Sequence, residues 1–307
     1  MGSFHIGGRM VELRDAPVEM LRLTKTGRPA PFDPNGHYHI GQMYVQYFLQ
    51  QSPTRDHPLL FWHGGGLTGA CWETTPDGRP GWRELFLQFG WDVYVSDAVE
   101  RGRSGFAPVP RLWPAPVTQT LETVFERFRI GQARAEGGPD DFAAQAYADS
   151  NFPVEALAAF GAQMVPRWIH TDELILDAYE ALLRRVDGAT VIAHSQGGYF
   201  ALEAAARHPD LIRSLVLLEP AAIPDSIADM EDFATPTLIL LGDHIDGNAR
   251  WTAMREDIRS RAECHSCVEI RRLPSEGLHG NSHMLMMDRN NADIARLVDR
   301  WLTHRFR

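Results

Sequence analysis

The sequence predicts an α/β fold in which a mostly parallel central sheet carries helices on both faces and an inserted helical cap. Short strands that are apolar throughout alternate with amphipathic helices along the 307 residues, as expected for a parallel sheet that is covered on both faces. Glycine clusters directly follow some of these strands. A proline-rich stretch interrupts the alternation between residues 106 and 170.

The strands fall into two kinds. The opening ones have alternating or mixed faces, which favours antiparallel pairing at the start of the sheet. The later ones are apolar on both faces, and the strand that begins at His57 runs straight into a glycine cluster. In chain order, strands are predicted over residues 8–15, 41–50, 57–66, 91–98, 189–195, 212–220, 235–243 and 266–274.

Helices are predicted where apolar residues recur at helical spacing between those strands. The first ends at a glycine stop, Gly90, and the last closes the chain. In chain order, helices are predicted over residues 81–90, 172–186, 197–208, 250–261 and 291–302.

The interruption is too long and too structured for a loop, because helical patches at 120–128 and 154–165 follow its cluster of prolines. We therefore divide the chain into an α/β core, residues 1–105 and 171–307, and a cap insertion, residues 106–170.

Composition excludes several classes of protein. The formal net charge of −10 argues against a nucleic-acid binder, which needs basic surface. No run approaches the roughly 18 apolar residues that a membrane-spanning helix requires, and no basic segment followed by an apolar one marks a signal peptide. We therefore expect a cytoplasmic protein without nucleic-acid or membrane partners.

The three cysteines, Cys71, Cys264 and Cys267, form no disulfide framework. The pair Cys264 and Cys267 has zinc-ligand spacing, but a single such pair without a second one is a weak signal. An exposed turn is the favoured interpretation, and the role of the pair stays open. We expect neither a metal nor an organic cofactor.

The segment Val191–Asp210 turns from an apolar strand directly into a helix at His194-Ser195-Gln196. A sharp corner of this kind pushes the serine side chain out above the sheet and requires small neighbours, which Ala193, Gly197 and Gly198 provide. Ala193 stands where the usual G-x-S-x-G pattern has glycine. On its own the motif fits a nucleophile and a serine N-cap equally well.

A second glycine cluster, His63-Gly64-Gly65-Gly66, follows the strand that begins at His57. Glycines allow backbone amides to turn inward without a Cβ in the way, and acyl transfer needs two such donors where the oxyanion forms. The predicted pair is the amide of Gly65 and the amide of Gln196. A flexible turn is the alternative, but the two motifs together are more specific than either alone.

The serine requires a general base, and the favoured histidine is His283, between the last strand and the closing helix. The apolar segment after it would anchor its loop. His279 is the rival, whereas His194 is too near the serine to reach back.

The base in turn requires a carboxylate to orient it. Glu219 follows one strand, and Asp243 and Asp246 follow the next. Glu219 could simply end its strand before Pro220, and Asp246 lies one residue later than is usual for such an acid. The order of serine, acid and histidine holds for either choice, so Glu219 and Asp246 both remain open at this point.

The segments "FWHGGGLTGACWETTPDGRPGW", "SDAVERGRSG", "AHSQGG", "LVLLEPAA" and "GNSHMLMMD" together resemble the α/β-hydrolase superfamily. They are most similar to a small group of bacterial serine esterases that take the acid as a glutamate after the sixth strand. The resemblance covers the chain from about Gly7 to its end and is weakest in the cap.

The resemblance implies Ser195 as nucleophile, His283 as base, Glu219 as acid, and Gly65 and Gln196 as oxyanion donors. It also implies a homodimer and a small-molecule ester as substrate. Two adjacent cysteines of a well-known relative are replaced here by Gly65 and Gly66, so the disulfide they form is not implied. A lactonase or C–C bond hydrolase would use the same residues, and a non-catalytic ligand-binding protein of this fold is the alternative from another class.

Overall fold

A computed structural model describes residues 1–133, 141–246 and 248–305. Its strands are β1 Gly2–Leu13, β2 Glu19–Leu21, β3 Ala30–Phe32, β4 Gly36–Phe48, β5 Leu59–Trp62, β6 Val93–Asp97, β7 Ala189–His194, β8 Ile212–Leu218, β9 Thr237–Leu241 and β10 Val268–Arg272. Its helices are α1 Trp82–Gln88, α2 Leu121–Arg127, α3 Phe142–Gln145, α4 Leu157–Gly161, α5 Asp172–Arg185, α6 Gln196–Arg207, α7 Asp225–Ala228, α8 Ala249–Ala262 and α9 Asn291–Arg305.

Eight strands form one sheet in the order β1-β4-β6-β5-β7-β8-β9-β10. β4 pairs antiparallel with both β1 and β6, and every other neighbouring pair is parallel. This confirms the predicted mostly parallel sheet with antiparallel opening strands. The small hairpin of β2 and β3 was not predicted, because its short, largely exposed strands carry no hydrophobic pattern.

Both faces of the sheet are covered by helices. Along β5, Leu59 and Phe61 join the hydrophobic cluster that contains α1 and α9, whereas Leu60 and Trp62 join the one that contains α5 and α6. A strand that is buried on both faces needs apolar side chains at every position, which explains the uninterrupted apolar run at residues 59–62.

The parallel register brings four strand ends to one edge of the sheet. Trp62 at the end of β5 lies opposite Ala193, near the end of β7. His194 lies opposite Leu218, and Leu218 lies opposite Leu240 on β9. The residues that directly follow β5, β7, β8 and β9 are therefore neighbours, although as many as 179 positions separate them in the sequence.

The predicted cap contains the short helices α2, α3 and α4. Its aromatic residues Phe125, Phe142 and Phe160 are buried in one cluster with the methionines that follow His283, so this part of the cap packs against the core. A backbone bridge between Val117 and Arg167 joins the two ends of the insertion. Residues 134–140 of the predicted cap lie outside the described residues.

Among the described helices, none has the length and apolar character needed to cross a bilayer.

Candidate active site

Ser195 stands at a strained corner between β7 and α6. Its backbone has φ 50° and ψ −115°, a left-handed conformation that costs a non-glycine residue roughly 1–3 kcal/mol. Two backbone hydrogen bonds hold the corner: the Ser195 amide donates to the Leu218 carbonyl, and the Ala221 amide donates to the Ser195 carbonyl, both at 3.0 Å. This is the geometry that the sequence predicts for a nucleophile elbow.

Glycine is required on the helical side of this corner. A Cβ on Gly197 would lie 2.6 Å from the His63 carbonyl oxygen and 2.7 Å from that of Trp62. A Cβ on Gly198 would lie 3.0 Å from Cβ of Pro220. The two glycines therefore allow α6 to begin against the ends of β5 and β8.

The glycine loop after β5 lies directly against the corner. A Cβ on Gly64 would lie 2.6 Å from His194 Nδ1, and one on Gly65 would lie 3.0 Å from Gln196 Oε1. In the described part of the chain, the backbone amides of Gly65 and Gln196 donate no hydrogen bond. Two unused donors beside a serine hydroxyl are what an oxyanion site requires.

His63 fixes this loop, a role that the sequence did not indicate. Its Nε2 accepts a hydrogen bond from the Ala98 amide at 2.9 Å, so Nδ1 carries the proton and donates to the Gly64 carbonyl at 2.9 Å. Burial and the charge of Arg101 lower the pKa of His63 to about 4. The imidazole is therefore neutral near pH 7 and ties the glycine loop to the end of β6.

His283 is buried in the loop between β10 and α9, with its Nδ1 3.4 Å from Glu219 Oε2. Its backbone is held at both ends, because its amide donates to the Phe128 carbonyl at 2.8 Å and its carbonyl lies 3.0 Å from His194 Nε2. Burial lowers the pKa of His283 below the ordinary 6.5, although the Glu219 carboxylate acts in the opposite direction. The imidazole is therefore neutral at neutral pH, as a general base must be.

A buried carboxylate anchors the His283 loop. Asp288 accepts hydrogen bonds from the amide and hydroxyl of Ser282 at 2.9 and 2.7 Å, and from the Asn281 side chain at 2.9 Å. Burial raises the pKa of Asp288 to about 6 even though these donors oppose the change. The apolar segment after His283 is fully buried, as predicted for an anchor.

Glu219 follows β8, the sixth strand of the large sheet in chain order, and is buried. Its Oε1 accepts hydrogen bonds from Arg129 Nη2 at 2.5 Å and from the Gly242 amide. Burial alone would raise its pKa, but the charges and hydrogen bonds of Arg129 and His283 outweigh that effect and lower the pKa to about 2. Glu219 is therefore ionised and has one oxygen beside the imidazole.

Asp246, the alternative acid, lies on the surface. Its side chain is 65% exposed, and it forms ion pairs with Arg255 and with Arg272, the latter at 2.8 Å. Asp243 accepts a hydrogen bond from the Gly280 amide at 2.9 Å, and the exposed rival base His279 lies 3.8 Å from Asp243. The structure thus brings Glu219, and neither aspartate, into contact with His283.

One cavity joins these groups. Ser195, His283, Gly65 and Gln196 all line a space of about 120 Å³. Trp251 from α8 lines it as well, with its ring 5.2 Å from the ring of His283. A possible nucleophile, a possible base and two unused amides therefore face the same small space.

The side chains that are best placed to bind a metal ion lie outside this cavity. Within the described ranges, a single group of three candidate ligand side chains lies close enough together, namely Asp149, Asp243 and His244. Neither Cys264 nor Cys267 belongs to it, and neither forms a disulfide with a described residue.

Known proteins are similar to this chain in both sequence and fold. Residues 57–262 match a family model described as the alpha/beta hydrolase fold. The solved structure of a bacterial esterase superposes with a TM-score of 0.82 and is 33% identical, covering 99% of this chain and 95% of that one. A probable secreted lipase, phiG, from a fungal species is 28% identical and covers 98% of this chain and 93% of its own.

A proline iminopeptidase from Mycobacterium smegmatis superposes with a TM-score of 0.50 at 14% identity, covering 86% of this chain and 95% of that one, a likeness of fold alone. The family model matches two thirds of the chain, and it does so over the segment that carries the elbow, the glycine loop and the buried glutamate. The chain therefore belongs to the α/β-hydrolase fold family and has esterase-like relatives.

Proposed function

We propose that this protein is a serine hydrolase that cleaves carboxylic esters, with Ser195 as nucleophile, His283 as general base and Glu219 as the orienting acid. One observation carries the proposal. The imidazole of His283 pairs with an ionised, buried Glu219 and lines the same cavity as a serine held at φ 50°. The relatives described as an esterase and a lipase support an ester as the substrate.

The first half of the reaction forms an acyl-enzyme. Because Glu219 contacts Nδ1, the proton of the neutral imidazole sits on that atom and leaves Nε2 free to accept the proton of the Ser195 hydroxyl. The serine oxygen attacks the ester carbonyl, and the negative charge that develops is stabilised by the amides of Gly65 and Gln196. Each such donor contributes about 3 kcal/mol to transition-state stabilisation.

The protonated His283 gives its proton to the alcohol oxygen as the bond from that oxygen to the carbonyl carbon breaks, which completes the acyl-enzyme. In the second half, His283 takes a proton from water as that water attacks the acyl carbonyl, and it returns this proton to the Ser195 oxygen as the acyl–serine bond breaks and the acid leaves. Glu219 stabilises the imidazolium ion in both halves without itself being protonated, since its pKa of about 2 keeps it ionised.

Covalent labelling tests the proposal. A fluorophosphonate should modify Ser195, and Ser195→Ala should abolish both the labelling and the hydrolysis of a short-chain ester such as 4-nitrophenyl acetate. Ser260→Ala, which alters an exposed serine on α8, is the matched control and should behave like the wild type. Labelling that persists in Ser195→Ala would show that another residue is the nucleophile, and a wild-type protein that neither labels nor hydrolyses any ester would overturn the assignment in favour of a non-catalytic binding protein.

A further inference from the structure

Two arginines line the same cavity as Ser195 and His283. Arg127, at the end of α2, and Arg167, near the end of the predicted cap, both contribute to its wall. Nη1 of Arg167 lies 3.1 Å from the position that a Cβ on Gly65 would take, so its guanidinium lies beside the proposed oxyanion loop. Positive charge is therefore placed within the space that a substrate would occupy.

These two guanidinium groups differ from those of the other arginines near the site, because no carboxylate in the described part of the chain pairs with them. The buried Arg101 lies 3.0 Å from Glu100, and the buried Arg129 lies 2.5 Å from Glu219. Among the described residues, no carboxylate oxygen lies within 4.0 Å of Arg127 or Arg167. Nε of Arg167 is buried and makes no hydrogen bond to any described residue.

The arrangement is electrostatically unfavourable in the free protein. Partial burial and the nearby charges of Arg250 and Arg167 lower the pKa of Arg127 below its ordinary value. Like charges that are close together and partly desolvated repel each other, and this occurs in a chain whose formal net charge is −10. An anion in the cavity would remove the repulsion and complete the hydrogen bonding of the buried Nε.

We propose that the preferred substrates of this site are small esters that carry a carboxylate group, which Arg127 and Arg167 bind while Ser195 attacks the ester carbonyl. The inference rests on the proposed ester hydrolysis and adds the substrate class to it. A guanidinium fork pairs with a carboxylate through two parallel hydrogen bonds. The cavity of about 120 Å³ limits the substrate to a compact one.

Matched ester pairs test the substrate class. Monoethyl succinate has a carboxylate on its acyl part, and ethyl levulinate has the same shape with a neutral acetyl group in its place. Acetoxyacetate and acetoxyacetone form the same comparison on the alcohol part. In at least one pair, we expect kcat/KM to be about 10- to 100-fold higher for the anionic ester, and the pair that shows it tells which part of the substrate faces the arginines.

Substitutions of Arg127 and Arg167 test whether these two side chains cause the preference for the anionic ester. In Arg127→Gln and Arg167→Gln, we expect the ratio of kcat/KM between the anionic and the neutral ester to fall by about tenfold or more. Arg300→Gln is the matched control, because Arg300 is exposed on α9 and lines a different cavity. Its ratio should equal that of the wild type. A ratio that falls equally in all three variants would overturn the proposal.

A binding measurement separates this inference from the proposed function. Succinate should slow the fluorophosphonate labelling of Ser195 in the wild type more than the neutral hexane-2,5-dione does, and the advantage should be lost in the Arg127→Gln/Arg167→Gln variant. If neutral esters are cleaved as fast as anionic ones and succinate gives no protection, the carboxylate inference falls and ester hydrolysis stands. If no ester is cleaved and Ser195 does not label, the proposed function falls.

Discussion

Arg129 donates a hydrogen bond from Nη2 to Glu219 Oε1 at 2.5 Å, and both side chains are about 98% buried or more. Arg129 comes from the predicted cap and Glu219 from the end of β8. The same arginine donates from Nε to the Asp243 carbonyl at 2.7 Å, and its guanidinium lies 4.4 Å from the centre of the Trp251 ring. The ion pair therefore ties the cap to the strand ends that surround the cavity.

Removing one member of this pair should cost more stability than removing both. Arg129→Leu leaves the Glu219 charge buried and unpaired, so we expect the free energy of unfolding to fall by about 3–5 kcal/mol. The double variant Arg129→Leu/Glu219→Gln removes both charges and should recover much of that loss, although not the activity. Chemical denaturation of the wild type, both single variants and the double variant provides the measurement.

The outcome is read from the order of the stabilities. If Arg129→Leu were as stable as the double variant or more stable, the ion pair with Glu219 would not be the source of the stability that Arg129 contributes. Arg103→Leu is a useful comparison, because Arg103 also pairs with a buried carboxylate, Asp97, at 2.8 Å but is itself 39% exposed. In Arg103→Leu, water can solvate part of the charge that remains on Asp97. The free energy of unfolding should therefore fall less in this variant than in Arg129→Leu.

The identity of the acid can be decided by two amide substitutions. Glu219→Gln keeps the shape of the side chain but removes the charge that orients and stabilises the His283 imidazolium, so we expect kcat to fall by about 10²- to 10⁴-fold. Asp246→Asn should leave kcat close to that of the wild type, because Asp246 is exposed and pairs with Arg255 and Arg272. Near-full turnover in Glu219→Gln together with a large loss in Asp246→Asn would reverse the assignment.

The sheet and the elbow could be predicted because their sequence signals are local. Apolar runs bounded by turn residues indicate buried strands, and a serine between small residues at a strand end leaves few conformations open. Gly197 and Gly198 prove sterically necessary, as the pattern around Ser195 suggested. The pattern of small residues is visible in the sequence itself, although the atoms that exclude a Cβ at Gly197 belong to the distant Trp62 and His63.

The choice between Glu219 and Asp246 could not be made from the sequence, because each lies in a segment that follows a strand, and the two strands end at the same edge of the sheet. Packing decides it: Glu219 is turned inward to His283 and Arg129, and Asp246 outward to Arg255. Arg129 itself was missed because 90 positions separate it from Glu219. Its place between two apolar residues, Phe128 and Ile130, was the one available sign that it is buried and paired.

The close approach behind the elbow should make Gly197 intolerant of even a methyl group. Gly197→Ala places a Cβ 2.6 Å from the His63 carbonyl oxygen, which forces α6 away from the glycine loop. We expect a loss of about 1–3 kcal/mol in the free energy of unfolding and a fall in kcat, because the Gln196 amide moves with the helix. Gly78→Ala, where nothing lies within 4 Å of the new Cβ but φ is +85°, adds backbone strain without a clash, so it is the control for activity and should not lower kcat. Equal kcat in both variants would contradict the expectation.

The pH dependence of hydrolysis should report the protonation of His283. The imidazole must be neutral to accept the serine proton, and burial holds its pKa below 6.5. With a neutral ester, kcat/KM should therefore rise with pH on the acidic side, reach half its maximum below pH 6.5 and be flat through neutrality. The charge of Arg127 contributes to the lowering, so its removal must raise the pKa of His283. Arg127→Gln should accordingly move the acidic limb to higher pH, whereas Arg300→Gln should leave it in place. A limb that stays fixed or moves to lower pH in Arg127→Gln would show that the cavity arginine does not act on the general base.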